Sequence, residues 1–258
     1  MNPREYLEIL HIAERLKDTP RHCATSKRRI ESVAEHSWRI SLMAFLLKDE
    51  FPDADIDKVI SMCLIHDLGE CFTGDIPTFI KTNHDRDIED SLLSQWVNTL
   101  PENISTRMSE LYSEMNKQET LESKIYKALD KLEAVIQHNE SPIDTWSDNE
   151  YELNQTYAFD VVQFSSWLTS LRKEILSDTL AKIDSEMINF KEAEEQVKEI
   201  EKLKEIIFND VDDIKKYRLE VATKKANAQK FKEDLMNYLN RETKDVNKKL
   251  IDIVNRLE

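Results

Sequence analysis

Between Met62 and Pro77 the chain reads MCLIHDLGECFTGDIP, and four side chains there can do chemistry: His66, Asp67, Glu70 and Asp75. On a helix, His66 and Glu70 stand four residues apart and Asp67 and Glu70 three apart. All three then project from neighbouring parts of one face. The apolar run Val59, Ile60, Met62, Cys63, Leu64 and Ile65 leads into them. An imidazole and two carboxylates at the end of a buried helix need a cation, or one another, to offset desolvation. The stretch therefore reads as half of a metal-dependent hydrolase site. Both glycines of the chain, Gly69 and Gly74, fall inside it, which points to unusual backbone angles or a close backbone approach there.

Further candidates lie on other predicted elements. Ser32-Val33-Ala34-Glu35 has the form of a capping box and opens a helix through His36, Trp38, Ile40, Leu42, Met43, Phe45 and Leu46. His36, in the first turns, is either a satisfied core residue or a ligand. A long helix from Thr120 to about His138 carries Leu121, Ile125, Leu129, Leu132 and Ile136 on one face, with Asp130 at its border. That aspartate is either an ion-pair partner for Lys127 or Lys131 or a carboxylate completing a metal site. Upstream, Arg21 to Arg29 forms a basic loop that is either solvated or turned toward an anion.

The elements that must hold these residues are helical. Apolar spacing predicts further helices over 5–16, 56–72, 85–99 and about 104–117, and closes the apolar part over 151–183. Gly74 and Pro77 mark a loop after Phe72. Two glycines and six prolines in 258 residues favour an all-α fold. Near residue 185 the composition changes: residues 1–185 carry nearly all of the net charge of −15, whereas 186–258 are almost balanced. The second stretch repeats apolar residues at helical spacing, from Met187, Phe190, Val197 and Ile200 to Leu250, Ile253 and Leu257. It is read as a coiled-coil or helical-hairpin extension, 186–258, on a domain of residues 1–185.

The acidic balance argues against a general nucleic-acid surface, which needs clustered cations. A small phosphorylated substrate is compatible with it, because a metal and one or two arginines reverse the local sign. Three cysteines without a C-x-x-C pair argue against a disulfide framework or zinc knuckle and fit a reducing cytosol. The first residues lack the apolar region of a signal peptide, and no apolar run nears the roughly 20 residues of a membrane span. The expectation is a soluble, cytoplasmic protein with no membrane partner.

The order His36, His66-Asp67, Asp130 on separate helices resembles the H…HD…D pattern of the HD-domain phosphohydrolases. Ser32–His36 and His66–Pro77 resemble the flanking signatures of the 5'-deoxynucleotidase branch, and the likeness covers roughly residues 5–183. The resemblance implies an HD-domain helical fold and one divalent metal ion held by His36, His66, Asp67 and Asp130. It further implies Glu70 and Asp75 as acid/base carboxylates and Arg21 as the phosphate anchor. Two imidazoles and two carboxylates suit Mn, Fe, Co or Zn. Glu133 and His138, on the helix of Asp130, are expected in supporting or structural roles. Where the bacterial enzymes it resembles have an Arg-Trp pair, this chain has Arg21-His22. His22 is a second substrate-binding candidate, and ribonucleotides enter the range of substrates. The implied activity is a metal-dependent phosphomonoesterase acting on nucleoside 5'-monophosphates, in a homodimer that the C-terminal helices support or extend. The competing readings are hydrolysis of a signalling nucleotide such as (p)ppGpp and a coiled-coil scaffold with a residual HD site.

Overall fold

A computed structural model describes residues 1–209 and 223–232, with side chains over 1–204 and 223–232. Helices dominate it: α1 (Pro3–Ala13), α2 (Val33–Leu46), α3 (Ile56–Ile65), α4 (Glu70–Thr73), α5 (Asn83–Val97), α6 (Glu102–Lys117), α7 (Leu121–Glu140), α8 (Glu150–Thr156) and α9 (Ser166–Asn209). Residues 223–232 are helical as well. The chain divides into two compact units, Met1–Pro142 with Thr156–Leu176, and Ile143–Gln155 with Ser177–Glu258.

In the first unit the sequence sets helix starts by capping. Asn2, Ser32 and Thr82 each close a reciprocal capping box, and Asp55 and Thr120 accept from the third residue of their helices. Helices α2, α3 and α7 share one core. Ile40 and Ala44 from α2, Val59, Met62 and Cys63 from α3, and Ile125, Ala128, Leu129 and Leu132 from α7 are all fully buried. This apolar wedge fixes the spacing of the three helices that carry the candidate ligands. The outer face of α2 stays open, exposing Trp38, Leu42, Phe45 and Leu46.

Two expectations are corrected. The basic loop is mostly a hairpin: β1 (Pro20–Ala24) pairs antiparallel with β2 (Ile30–Ser32), Pro20 opposite Ser32. Arg28 takes a positive φ of 64° at its turn. Strands this short leave little period-2 pattern to read. The helix expected over 56–72 is broken after Ile65. From there the backbone bonds run from residue i to i+3: Leu68 N to Ile65 O, Glu70 N to Asp67 O, Cys71 N to Leu68 O and Phe72 N to Gly69 O. Regular α-helical bonding resumes in α4, where Gly74 N bonds to Glu70 O at 2.9 Å.

The two glycines have separate reasons. Gly74 sits at φ 76° and ψ 167°, a region essentially closed to other residues. A Cβ on Gly69 would come within 2.7 Å of Glu89 Cγ.

In the second unit, the part of α9 from Ser177 onward runs unbroken past residue 185, so the change in composition falls inside a helix. Val197 and Ile200 bury a small apolar cluster with Ala228, and Lys224 pairs with Glu199 at 2.9 Å. The apolar positions Val211, Ile214, Leu235, Leu239, Val246, Leu250, Ile253 and Leu257 lie outside the described residues. Among the described residues no helix is long and apolar enough to cross a membrane.

Candidate metal centre

Three helices bring their ligand candidates to one point. His36 stands one turn into α2, behind the capping box that Ser32 and Glu35 complete. Its ring is 1% exposed, and Nδ1 lies 2.5 Å from Glu133 Oε2 on α7. Nε2 then faces Asp130 Oδ1 at 3.3 Å and Asp67 Oδ2 at 3.9 Å. His66, at the end of α3, places Nδ1 2.9 Å from the Cys63 carbonyl. Its Nε2 is 2.8 Å from Asp67 Oδ2 and 3.7 Å from Asp130 Oδ1. The two rings are 5.2 Å apart. Asp130 divides its oxygens: Oδ2 accepts from Lys127 at 2.7 Å, and Oδ1 turns toward the imidazoles. The ion-pair reading of Asp130 holds with Lys127 as partner, and Oδ1 is left on the side of the two imidazoles.

The donor set fits a cation. A ring that donates from Nδ1 to a carboxylate or carbonyl presents a lone pair at Nε2. Here two such nitrogens meet two carboxylate oxygens, an assembly of acceptors that repel unless positive charge lies among them. His66 Nε2 is buried and makes no hydrogen bond among the described residues, although Asp67 is only 2.8 Å away. Close approach without hydrogen-bond geometry suits two ligands of one ion. Ligand atoms of His36, His66 and Asp67 all lie within 4.8 Å of one another. The carboxylates around the cradle favour positive charge of any kind among them, a proton on the imidazole included. Burial and Arg21 oppose a charged His36, yet Glu133 and Asp130 push its pKa up to about 9. Burial disfavours the charged form of Asp130, yet Lys127 and the two histidines hold it well below the usual carboxylate range.

The acid/base candidates border this cradle. Glu70 is 6% exposed, and its Oε2 makes no hydrogen bond among the described residues. Burial, then the charges of Asp67 and Asp75, push its pKa up to about 10. Asp75 is half-buried and also raised by burial, against the opposing charge of Arg21. Arg21 projects from β1, with Nη1 2.8 Å from Glu31 Oε2 and 3.1 Å from Glu133 Oε2. The hairpin thus holds the guanidinium beside the cradle. His22 is exposed, with its ring 5.5 Å from that of Phe79 and 5.2 Å from that of His138. Arg29, the end of the basic stretch, is taken up by Glu35 at 2.9 and 2.5 Å.

Glu133, expected in a supporting role from its place near Asp130, joins His36 to Arg21. Other site-bordering residues had no sequence signal. Glu31 faces Arg21 across the hairpin, and Lys81 and Glu89 approach Glu70 from the loop and α5. These depend on tertiary placement alone.

Buried imidazoles and carboxylates gathered on a helical scaffold define a metal-centred hydrolase type of site. The family follows from comparison: a model described as the HD domain matches residues 13–172, and the chain belongs to that family. The human 5'-deoxynucleotidase HDDC2 is 31% identical over 141 residues, covering 53% of this chain and 68% of the human protein. The 5'-deoxynucleotidase hdd1 of Schizosaccharomyces pombe is 28% identical over 189 residues, covering 67% and 93%. Among solved structures, a predicted metal-dependent phosphohydrolase from Magnetospirillum magnetotacticum superposes with a TM-score of 0.59 at 22% identity, covering 69% of this chain and 93% of that one. That likeness establishes the helical fold.

Proposed function

We propose that this protein is a metal-dependent phosphohydrolase that converts deoxynucleoside 5'-monophosphates to nucleoside and phosphate. The observation that carries the reading is the convergence of His36 Nε2 and His66 Nε2 on Asp67 and Asp130. The substrate class is supported by the relatives, which are named 5'-deoxynucleotidases.

In this reading His36, His66, Asp67 and Asp130 hold one divalent ion of the Mn, Co, Fe or Zn type. The ion, when bound, supplies Lewis acidity toward the phosphoryl group and acidifies water. The chain's own groups do the rest. Arg21, fixed by Glu31 and Glu133, neutralises the phosphate charge. Glu70 borders the cradle, and with the cation there to offset the charges of Asp67 and Asp75 its carboxylate would be ionised and take the proton of the attacking water. Water oxygen bonds to phosphorus as the bond to the 5'-oxygen breaks, and Asp75 delivers the proton that the leaving oxygen needs. His22, exposed beside Phe79, meets the sugar in this reading.

A panel of deoxynucleoside and ribonucleoside monophosphates, assayed for phosphate release with added Mn or Co, tests the reading. Release from the deoxynucleotides is the expected result; no release from any of them would refute it.

A further inference from the structure

Lys81 is a cation enclosed by acids. Its side chain is 11% exposed, with Nζ 2.6 Å from Glu89 Oε2 and 4.0 Å from Glu70 Oε1. Both carboxylates are largely buried. The backbone on either side is fixed. The Pro77 carbonyl accepts from Ile80 N at 2.9 Å and Lys81 N at 3.0 Å. Thr82, the next residue, caps α5 with Asp85. Glu89 lies against Gly69, where a Cβ would come within 2.7 Å of its Cγ. Gly69 in turn directly precedes Glu70. A closed path therefore runs from Gly69 through Glu89 and Lys81 back to the carboxylate of Glu70.

We infer that Lys81, clamped by Glu89 against Gly69, is a positioning residue that aims the Glu70 carboxylate into the site. This rests on the reading of Glu70 as the group that handles the water proton. Glu70 Oε1 faces the ammonium, while Oε2 is buried and makes no hydrogen bond among the described residues, which marks it as the oxygen that the bound reactants would engage. An ammonium held this way restrains the glutamate electrostatically without taking up both of its oxygens. A glycine at 69 is required because any larger residue would displace the clamp.

The experiment compares Lys81→Met, Lys81→Arg, Glu89→Gln and Gly69→Ala in the full chain. Each is measured for kcat, KM, bound metal and melting temperature. Lys81→Met is expected to lower kcat at least tenfold, with KM within about twofold and one metal per chain retained. Lys81→Arg should recover most of that loss. Glu89→Gln and Gly69→Ala should lower kcat by smaller factors. A rise in KM with kcat intact would make Lys81 a substrate contact and overturn the inference, as would unchanged kcat in all variants or loss of metal from Lys81→Met. Should the unsubstituted protein turn over no nucleotide, the nucleotidase reading fails by itself. The crystal structure of Lys81→Met then decides the inference: a reoriented Glu70 supports it, and an unmoved one overturns it.

Discussion

The cradle and the rim of this site are built differently. In the cradle three of the four candidate ligands have a second partner that fixes them: Glu133 for His36, the Cys63 carbonyl for His66 and Lys127 for Asp130. These side chains project from α2, α3 and α7, which are locked by a fully buried apolar core. The rim is formed by a two-stranded hairpin and the segment 74–81, with His22 exposed and Asp75 half-buried. The contrast teaches where the geometry is committed. The proposed metal ligands are held by packed helices, and the proposed substrate-facing groups Arg21, His22 and Asp75 sit on a short hairpin and a loop.

Substitutions in the cradle should accordingly have the largest effects. Asp67→Ala is expected to lower turnover about a thousandfold or more, roughly 4 kcal/mol of barrier, with helix content by circular dichroism nearly unchanged. Retained activity would place the metal elsewhere. Glu133→Gln should weaken metal affinity by about 10- to 100-fold, because the partner of a ligating imidazole sets its orientation and basicity. A metal titration reads this directly. It should also loosen Arg21, so KM rises with it.

Rim changes are smaller and sharpen the contrast. Gly74→Ala meets no steric neighbour, so its cost is conformational, about 1–3 kcal/mol of stability in thermal or urea unfolding. Activity should fall with it, because Asp75 is the next residue. Mildest is His22→Trp, which is expected to leave metal binding and stability unchanged. It should shift the ratio of deoxynucleotide to ribonucleotide hydrolysis a few-fold, read from the substrate panel. An effect on metal content would erase the distinction between cradle and rim.

Much of this was legible in the sequence where local rules decide. Ser32 and Thr120 stand where helices begin, and the long apolar stripe of α7 placed Asp130 at its border. The two glycines marked the special backbone. Other features are tertiary. The winding that tightens after Ile65 has no distinctive residue pattern, so 56–72 reads as a single helix. The β1–β2 hairpin is too short for its alternation to stand out beside a run of cations. The enclosure of Lys81 by Glu70 and Glu89 depends on how α5 approaches the loop, which spacing along the chain does not encode.

The central claim is that three helices assemble one divalent-ion site from two imidazoles and two aspartates. Equilibrium titration of the metal-free protein with Mn, alongside His36→Ala, His66→Ala and Asp130→Asn, tests it most directly. The account predicts one high-affinity ion per chain, with affinity reduced by each of the three substitutions while the fold persists. Undiminished binding in the His36 or Asp130 variant would contradict it.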